Sequence, residues 1–173
     1  MNEPFDHPLW RFSLRVYAAP GVEESCLRLQ DRYGANVNLV LFCCWFGYAG
    51  YGEIGSACLR EVIAPATQWH DKAVAPLRAL RRVLKQDPLP LSTNAAEPVR
   101  QKILDAELSA EQALQTLLFK CVAGLIAEEK PAAARRTDSD SNLAAYLATA
   151  GIHLEEAVER ELCTLIDAAF KDI

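Results

Sequence analysis

The sequence predicts an all-α protein, an irregular bundle of about seven helices around a buried apolar third helix. The stretch from Val37 to Tyr48 carries no charged side chain, and a helix that is apolar on every side belongs inside a core. Elsewhere apolar residues recur at helical spacing. The second helix shows this stripe with Val22, Cys26, Leu29 and Tyr33. No stretch alternates with the period of two that is typical of strands.

Length and composition predict a single helical domain over residues 1–173. A chain of 173 residues, 51% of them hydrophobic, is long enough to bury one substantial core. Its apolar central stretch is shorter than the ~20 residues that a membrane crossing needs, and the N-terminus lacks the pattern of a secretion signal. The six cysteines include no CxxC pair and suit a reducing compartment. We therefore expect a cytoplasmic protein with no membrane contact.

The first three helices have clear boundary signals. Pro8 suits the first position of a helix, and Pro20 ends that helix because the residue before a proline avoids helical geometry. Gly34 is expected to end the second helix in a left-handed conformation, and Asn36 to cap the third. The glycine-rich segment 47–56 predicts a flexible or strained loop.

A fourth helix is expected from a cap at Ser56 to about Lys85, with kinks or a restart at Pro65 and Pro76, because each proline removes a backbone donor. Its apolar stripe, predicted to face the core, consists of Trp69, Ala73, Leu77, Leu80 and Leu84. The opposite face carries a basic stripe of Arg78, Arg81, Arg82 and Lys85.

The next segment, 87–98, is rich in turn residues and is a possible hinge. Asn94 with Glu97 resembles a capping box, which predicts a long helix to about Glu128. An alternative start near Ser109 stays open. The predicted buried seam is Ile103, Ala106, Ala110, Leu114, Leu117, Cys121 and Leu125. Glu107 and Glu111 lie together on one face, interpreted as a solvated acidic face.

The remaining third of the chain predicts a mobile linker and two helices. Residues 131–141 are polar, which is typical of a mobile segment. Asn142 is then expected to cap a short helix that ends at Gly151. The last helix is amphipathic, and its predicted apolar face is Leu154, Val158, Leu162, Leu165, Ile166 and Phe170.

The sequence contains no recognisable catalytic motif. The chain has three histidines and lacks a GxSxG nucleophile segment, a phosphate-binding loop and a dinucleotide-binding glycine motif. The cysteines and histidines do not cluster at the spacing of metal ligands. We therefore predict no catalytic residues, no metal and no cofactor, and lean against an enzyme.

The basic stripe of Arg78, Arg81, Arg82 and Lys85 is one candidate binding surface. It would dock an acidic segment of another protein, and nucleic acid is the less favoured partner because the net charge is −5 and no aromatic residues alternate with the basic ones. Two structural alternatives are pairing with the acidic C-terminal helices and interaction with the helix dipole.

A pocket between the first, third and fourth helices is the second candidate. Its predicted lining residues are Trp10, Tyr17, Asn38, Trp45 and His70. Polar and amphipathic side chains placed within apolar helices permit a ligand pocket. They equally permit a hydrogen-bonded core network, since buried polar groups normally find a protein partner.

The N-terminal block PLWRFSLRVYAAPGVEESCLRLQDRYGANVNLVLFCCWFG, residues 8–47, resembles the signature of a family of small uncharacterised proteobacterial proteins. The matching positions are Trp10, Ser13, Tyr17, Cys26, Leu29, Gln30, Asn38 and Trp45. This resemblance implies a helical cytoplasmic bacterial protein without an established activity.

These observations support three functional hypotheses. The first is a non-enzymatic adaptor or regulatory module that binds another protein through the basic stripe. The second is a small-molecule binding protein, or an enzyme of unrecognised type, that uses the pocket. Association with RNA is a third and would be strongly dependent on salt.

Overall fold

The computed structural model describes residues 6–86 and 90–171. The helices are α1 (Pro8–Tyr17), α2 (Val22–Tyr33), α3 (Val37–Tyr48), α4 (Ser56–Trp69), α5 (Ala75–Gln86), α6 (Thr93–Lys120), α7 (Ala132–Thr149) and α8 (Glu156–Phe170). A π-helical segment, His70–Val74, joins α4 to α5, so the described residues form seven continuous helical rods and no strand. The predicted all-α bundle is confirmed.

Helix α3 lies at the centre of the bundle. Each residue from Asn38 to Gly47 is buried, and α3 contacts α1, α2, α6, α7 and α8. Its most extensive contact is with α7. The absence of any polar face on this helix is therefore explained by neighbours on several sides, as predicted.

Local capping explains where the N-terminal helices begin. Pro8 is the first residue of α1, and the His7 Nδ1 atom accepts a hydrogen bond of 3.2 Å from the Trp10 N–H. The Asn36 side chain caps α3 by accepting a 3.0 Å hydrogen bond from the Asn38 N–H. Gly34 ends α2 with φ of 70°. The boundaries predicted for these helices are confirmed, and the unpaired N–H groups at the helix starts gain partners.

The glycine-rich segment is held by hydrogen bonds from α7 and from the stretch before it. The Asn142 side chain donates to the Gly52 carbonyl at 3.0 Å and accepts from the Ile54 N–H at 2.7 Å. The Glu128 N–H donates to the Gly50 carbonyl at 2.9 Å. Gly50 has φ of 88°, a backbone conformation that glycine adopts without steric cost.

The prediction of a mobile linker over 131–141 is wrong, because α7 begins at Ala132. Ser139 is fully buried in this helix, and its hydroxyl donates to the Cys44 carbonyl at 2.8 Å. Asn142 lies inside α7 and does not cap it. Polar residues of this segment instead supply hydrogen bonds to α3, from Ser139 to the Cys44 carbonyl and from Arg135 to the Tyr48 carbonyl.

Helix α6 also departs from its predicted limits. Its cap is Ser92, which accepts a 3.3 Å hydrogen bond from the Ala95 N–H, in place of the predicted Asn94. The helix passes Ser109 without a break and ends at Lys120, before Glu128. Within the possible hinge, residues 93–98 are helical, while residues 87–89 lie outside the described part. Of the predicted seam, Ala110 and Leu114 are buried, whereas Leu117, Cys121 and Leu125 are exposed.

The fourth predicted helix is interrupted by the π-helical segment shortly before Pro76, where an interruption is expected, and it continues through Pro65 without one. Gly55 caps α4, one residue earlier than predicted, and Pro65 lies within this helix. The predicted apolar stripe is not a core stripe. Trp69 and Leu80 are 41% and 48% exposed, and no residue in the described helix α5 is buried. Leu77 and Leu84 are half-buried, as are the basic residues Arg78 and Arg81, whereas Arg82 and Lys85 are exposed.

None of the helices in the described residues combines the length and apolar composition that a membrane crossing requires.

Candidate functional site

A cleft of about 980 Å³ lies between α1, α2 and α3 on one side and α5 and α6 on the other. Trp10, Val37, Leu41 and Leu104 form apolar parts of its wall. Exposed residues such as Leu27 and Lys85 also line the cleft, so its mouth opens to solvent. Apolar walls with a few placed polar groups are typical of ligand pockets.

Two arginines from α5 and two glutamates from α6 form an ionic cluster along this cleft, which we call the arginine–glutamate cluster: Arg78, Arg81, Glu107 and Glu111. The Arg78 Nε atom donates to Glu107 at 2.8 Å. Arg78 also donates to Glu111 and to the Gln30 side chain on α2. Arg81 donates to both Glu107 oxygens, at 2.5 and 3.2 Å.

This cluster explains why Arg78 and Arg81 of α5 turn toward α6. Glu107 is 5% exposed at its side chain, and a buried carboxylate without a partner would cost several kcal/mol. Glu107 and Glu111 lie one helical turn apart on α6, so arginines from one face of α5 reach both. The interpretation of these glutamates as a solvated acidic face is therefore wrong. Pairing of the basic stripe with the C-terminal helices is also wrong for Arg78 and Arg81, whose described partners lie on α2 and α6.

The two glutamates of the cluster have opposite pKa shifts. Burial alone would raise the pKa of Glu107, but the hydrogen bonds and charges of Arg81 and Arg78 outweigh burial and lower it. Burial raises the pKa of Glu111, because the Arg78 charge compensates only in part and Glu107 adds repulsion. Glu107 is thus the firmly ionised member, and the Glu111 carboxylate is incompletely compensated.

The deep end of the cleft is polar. The Gln115 Nε2 atom donates to the Asn38 Oδ1 atom at 3.0 Å and joins α6 to α3. The Gln115 Oε1 atom and the Ser13 hydroxyl are buried without a hydrogen-bond partner among the described residues. Tyr17 lies one turn beyond Ser13 on α1, and burial is the largest of the effects that raise its pKa to about 12. Tyr17 is therefore neutral at physiological pH.

The cleft brings together seven of the nine side chains that the sequence suggested. Trp10, Tyr17 and Asn38 line it together with the complete basic stripe, Arg78, Arg81, Arg82 and Lys85. Residues of both predicted sites thus line the same cleft. The opening is larger than predicted, since α2 and α6 also contribute to it.

Trp45 and His70 do not line the cleft. Trp45 is 3% exposed and packs against the rings of Tyr51 and Phe119, at centroid distances of 5.5 and 5.7 Å. Trp45 is therefore a residue of the hydrophobic core. His70 lies in the π-helical segment, where burial and then the Arg78 charge lower its pKa.

The pocket predicted from the sequence omitted Glu107, Glu111 and Gln115, and Ser13 was noted only as a position that matches the family signature. A usable signal was present in α6, where Glu107, Glu111 and Gln115 follow one another at intervals of one turn and so share one face. Within the described residues, no three His, Cys, Asp or Glu side chains form a group suited to a metal ion.

The unpartnered Ser13 hydroxyl leads to a stability prediction. Replacing Ser13 with alanine is expected to raise the free energy of unfolding by about 1 kcal/mol, because the change removes an unsatisfied buried hydroxyl and improves helix propensity. Urea denaturation followed by tryptophan fluorescence measures this effect.

Ser139→Ala is the matched control, since Ser139 is also a buried helical serine but donates to the Cys44 carbonyl. The free energy of unfolding of the Ser139→Ala control is expected to fall by about 1 kcal/mol. A Ser13→Ala variant destabilised as strongly as the control would show that the Ser13 hydroxyl is satisfied in the free protein.

Fold and cleft together define a helical protein with a mixed polar and apolar cleft at the side of its central helix. Residues 8–118 match the family described as protein of unknown function (DUF2390), and the chain belongs to this family. The match extends from α1 into α6 and so includes every helix that lines the cleft. No curated protein and no solved structure gives a significant match.

Proposed function

We propose that the chain is a small-molecule binding protein that uses the cleft beside α3. The observation that carries this proposal is an open cleft beside α3 in which apolar side chains, among them Trp10 and Leu41, lie next to polar ones, among them Tyr17 and Asn38. Such a combination of apolar wall and placed polar groups is typical of ligand sites.

The size and chemistry of the cleft support the same proposal. A volume of about 980 Å³ lies at the upper end of the range that small-molecule sites occupy. Trp10 and Leu41 offer apolar surface, while Asn38 and Gln115 hold each other in place through their hydrogen bond. Side chains positioned in this way need little reorganisation when a ligand arrives.

Protein docking through the basic stripe has less support. Arg78 and Arg81 already pair with buried carboxylates of α6, so an acidic partner would have to displace these contacts. Arg82 pairs with Asp31, and Lys85 is exposed at the mouth of the cleft. We place the proposed binding protein in the bacterial cytoplasm, as the resemblance of the N-terminal block implies.

Native mass spectrometry of the protein purified without a tag from its own cells tests the proposal. The expected spectrum contains a discrete, non-covalently bound mass of a few hundred daltons, the ordinary size of a pocket ligand. Collisional activation should remove this mass and leave the bare chain.

Two alanine-to-tryptophan variants provide the control. Ala18 lines the cleft, and Ala64 is exposed on α4 outside it. Ala18→Trp is expected to reduce the bound fraction at least fivefold by filling part of the cleft, whereas Ala64→Trp retains it. A bound mass unaffected by Ala18→Trp, or a spectrum of bare chain alone, would contradict the proposal.

A further inference from the structure

Two cysteines outside the cleft lie on neighbouring helices, Cys58 on α4 and Cys121 at the C-cap of α6. Both are free thiols, and Cys58 is half-buried while Cys121 is exposed. A small oxidant can reach thiols near the surface, and two adjacent thiols can be joined as a disulfide. Such a reaction requires that the packing of α4 against α6 brings the two side chains together.

Two hydrogen bonds fix the register in which α4 lies against α6. At one end, the Trp69 indole Nε1 atom donates to the Ala110 carbonyl at 2.9 Å. At the other end, the Glu128 N–H donates to the Gly50 carbonyl at 2.9 Å and joins the segment before α4 to the segment after α6. The two helices are therefore antiparallel, and the residues between these contacts lie opposite one another.

Cys58 and Cys121 occupy matching positions in this register. Cys58 precedes Trp69 by about three helical turns, and Cys121 follows Ala110 by about three turns. A whole number of turns returns a side chain to the same face of its helix. Because Trp69 and Ala110 contact each other, the two cysteines lie on the contacting faces of their helices, one opposite the other.

The spacing of packed helices suits a disulfide between facing residues. Packed helix axes lie ~8–10 Å apart and Cα atoms lie ~2.3 Å from their own axis, so facing Cα atoms approach the ~5.5 Å separation that a disulfide spans. Burial raises the pKa of the Cys121 thiol most, and Cys58 and then Glu61 of α4 raise it further. Because such charge effects require proximity, they agree with the placement of Cys58 beside Cys121.

We propose that Cys58 and Cys121 form a reversible dithiol–disulfide pair that hydrogen peroxide oxidises. The thiolate of one cysteine attacks a peroxide oxygen and becomes a sulfenic acid, and the departing hydroxide takes up the thiol proton as water. The sulfur of the second cysteine then attacks the sulfenic sulfur, forms the S–S bond and releases a second water. Two thiols thus lose two hydrogens and two electrons, and one peroxide is reduced to two waters.

The surroundings of the other cysteines make this pair selective. Cys26, Cys43 and Cys44 are buried, and burial raises the pKa of each thiol, so they stay protonated and inaccessible. Cys163 is exposed on α8, beside Arg136 of α7. The accessible cysteines are therefore Cys58, Cys121 and Cys163, of which the α4–α6 contact pairs the first two.

The disulfide would join the start of α4 to the end of α6 and enclose α5 within the loop. Closing a loop of this length restricts the unfolded chain and so stabilises the folded one. We expect the oxidised chain to have a Tm at least about 5 °C above that of the reduced chain.

Oxidation of the folded full-length chain with hydrogen peroxide, followed by peptide mapping without reduction, tests the proposal. A mildly alkaline buffer supplies the thiolate. The expected map contains a cross-linked pair of peptides, one with Cys58 and one with Cys121, that dithiothreitol separates. The same oxidation in concentrated urea should reduce the share of this cross-link at least about threefold, because closure of shorter loops, such as Cys44 with Cys58, is then favoured.

Serine variants locate the reaction. Cys58→Ser and Cys121→Ser should each abolish the cross-link and the rise in Tm, whereas Cys163→Ser, the matched control at an exposed position on α8, should retain both. A map without the Cys58–Cys121 cross-link, or with over-oxidised Cys121 alone, would overturn the proposal. So would a share of this cross-link that is the same in the folded and the urea-unfolded chain.

Discussion

Replacing Gly47 with alanine is expected to lower the free energy of unfolding by about 3 kcal/mol, because α3 and α7 pack backbone to backbone at this residue. A Cβ atom at position 47 would lie 2.6 Å from the Ser139 hydroxyl oxygen and 2.8 Å from the Asp138 carbonyl carbon. The backbone nitrogen of Ser139 would be closer still. Relief requires the two helices to separate, and this is the most extensive helix pair of the fold.

Gly55→Ala is the matched control for this prediction. Gly55 is exposed before α4 with φ of −60°, and a Cβ atom there would contact nothing within 4 Å. Its substitution is expected to change stability by less than about 1 kcal/mol, because the lower entropy of alanine in the unfolded chain and its poorer fit at a helix N-cap oppose each other. Chemical denaturation of both variants measures the difference. Similar stability of Gly47→Ala and Gly55→Ala would show that α3 and α7 lie farther apart than described.

Replacing Arg78 with methionine is expected to lower the free energy of unfolding by about 3 kcal/mol. Arg78 connects three helices, since it donates to Glu107 and Glu111 on α6 and to Gln30 on α2. Methionine keeps much of the aliphatic length but leaves Glu111 without its described partner. The expected cost arises mainly from this unpaired, largely buried carboxylate.

Two further variants make the Arg78 prediction specific. Arg60 is exposed on α4 and has no ion-pair partner among the residues described, so Arg60→Met is expected to change stability by less than about 0.5 kcal/mol. The double variant Arg78→Met/Glu111→Met removes the unpaired carboxylate. It should regain at least half of the free energy of unfolding that Arg78→Met loses. If the double variant is less stable than Arg78→Met, the unpaired Glu111 charge is not the cause.

The candidate site shows where sequence reasoning reached its limit. Trp10, Tyr17 and Asn38 were predictable as pocket residues because they are polar or amphipathic within apolar helices. Gln115 gives no comparable signal, since a glutamine on a helix is ordinarily solvated, whereas Ser13 lies, like Asn38, among apolar residues of its helix. Their significance depends on being buried beside a cleft without described partners, which is a property of packing.

Helix α5 shows the same limit for orientation. This helix carries a basic stripe and an apolar stripe on opposite faces, and the sequence predicted that the apolar stripe would face the core. That is the usual orientation of an amphipathic helix. The buried glutamates of α6 change this outcome, because leaving Glu107 unpaired would cost more than exposing Leu80. Residues distant in sequence therefore decided that Arg78 and Arg81 turn toward α6.

The sequence by itself determined the all-α class, the central position of α3 and the boundaries of the first three helices. These properties depend on local backbone chemistry and on uninterrupted apolar composition, which a chain carries without reference to its neighbours. The tertiary structure alone decided the helical state of 132–141, the orientation of α5 and the union of two predicted sites in one cleft. Each of these depends on a polar group finding a distant partner, and the free energy of that pairing exists only after the helices have packed.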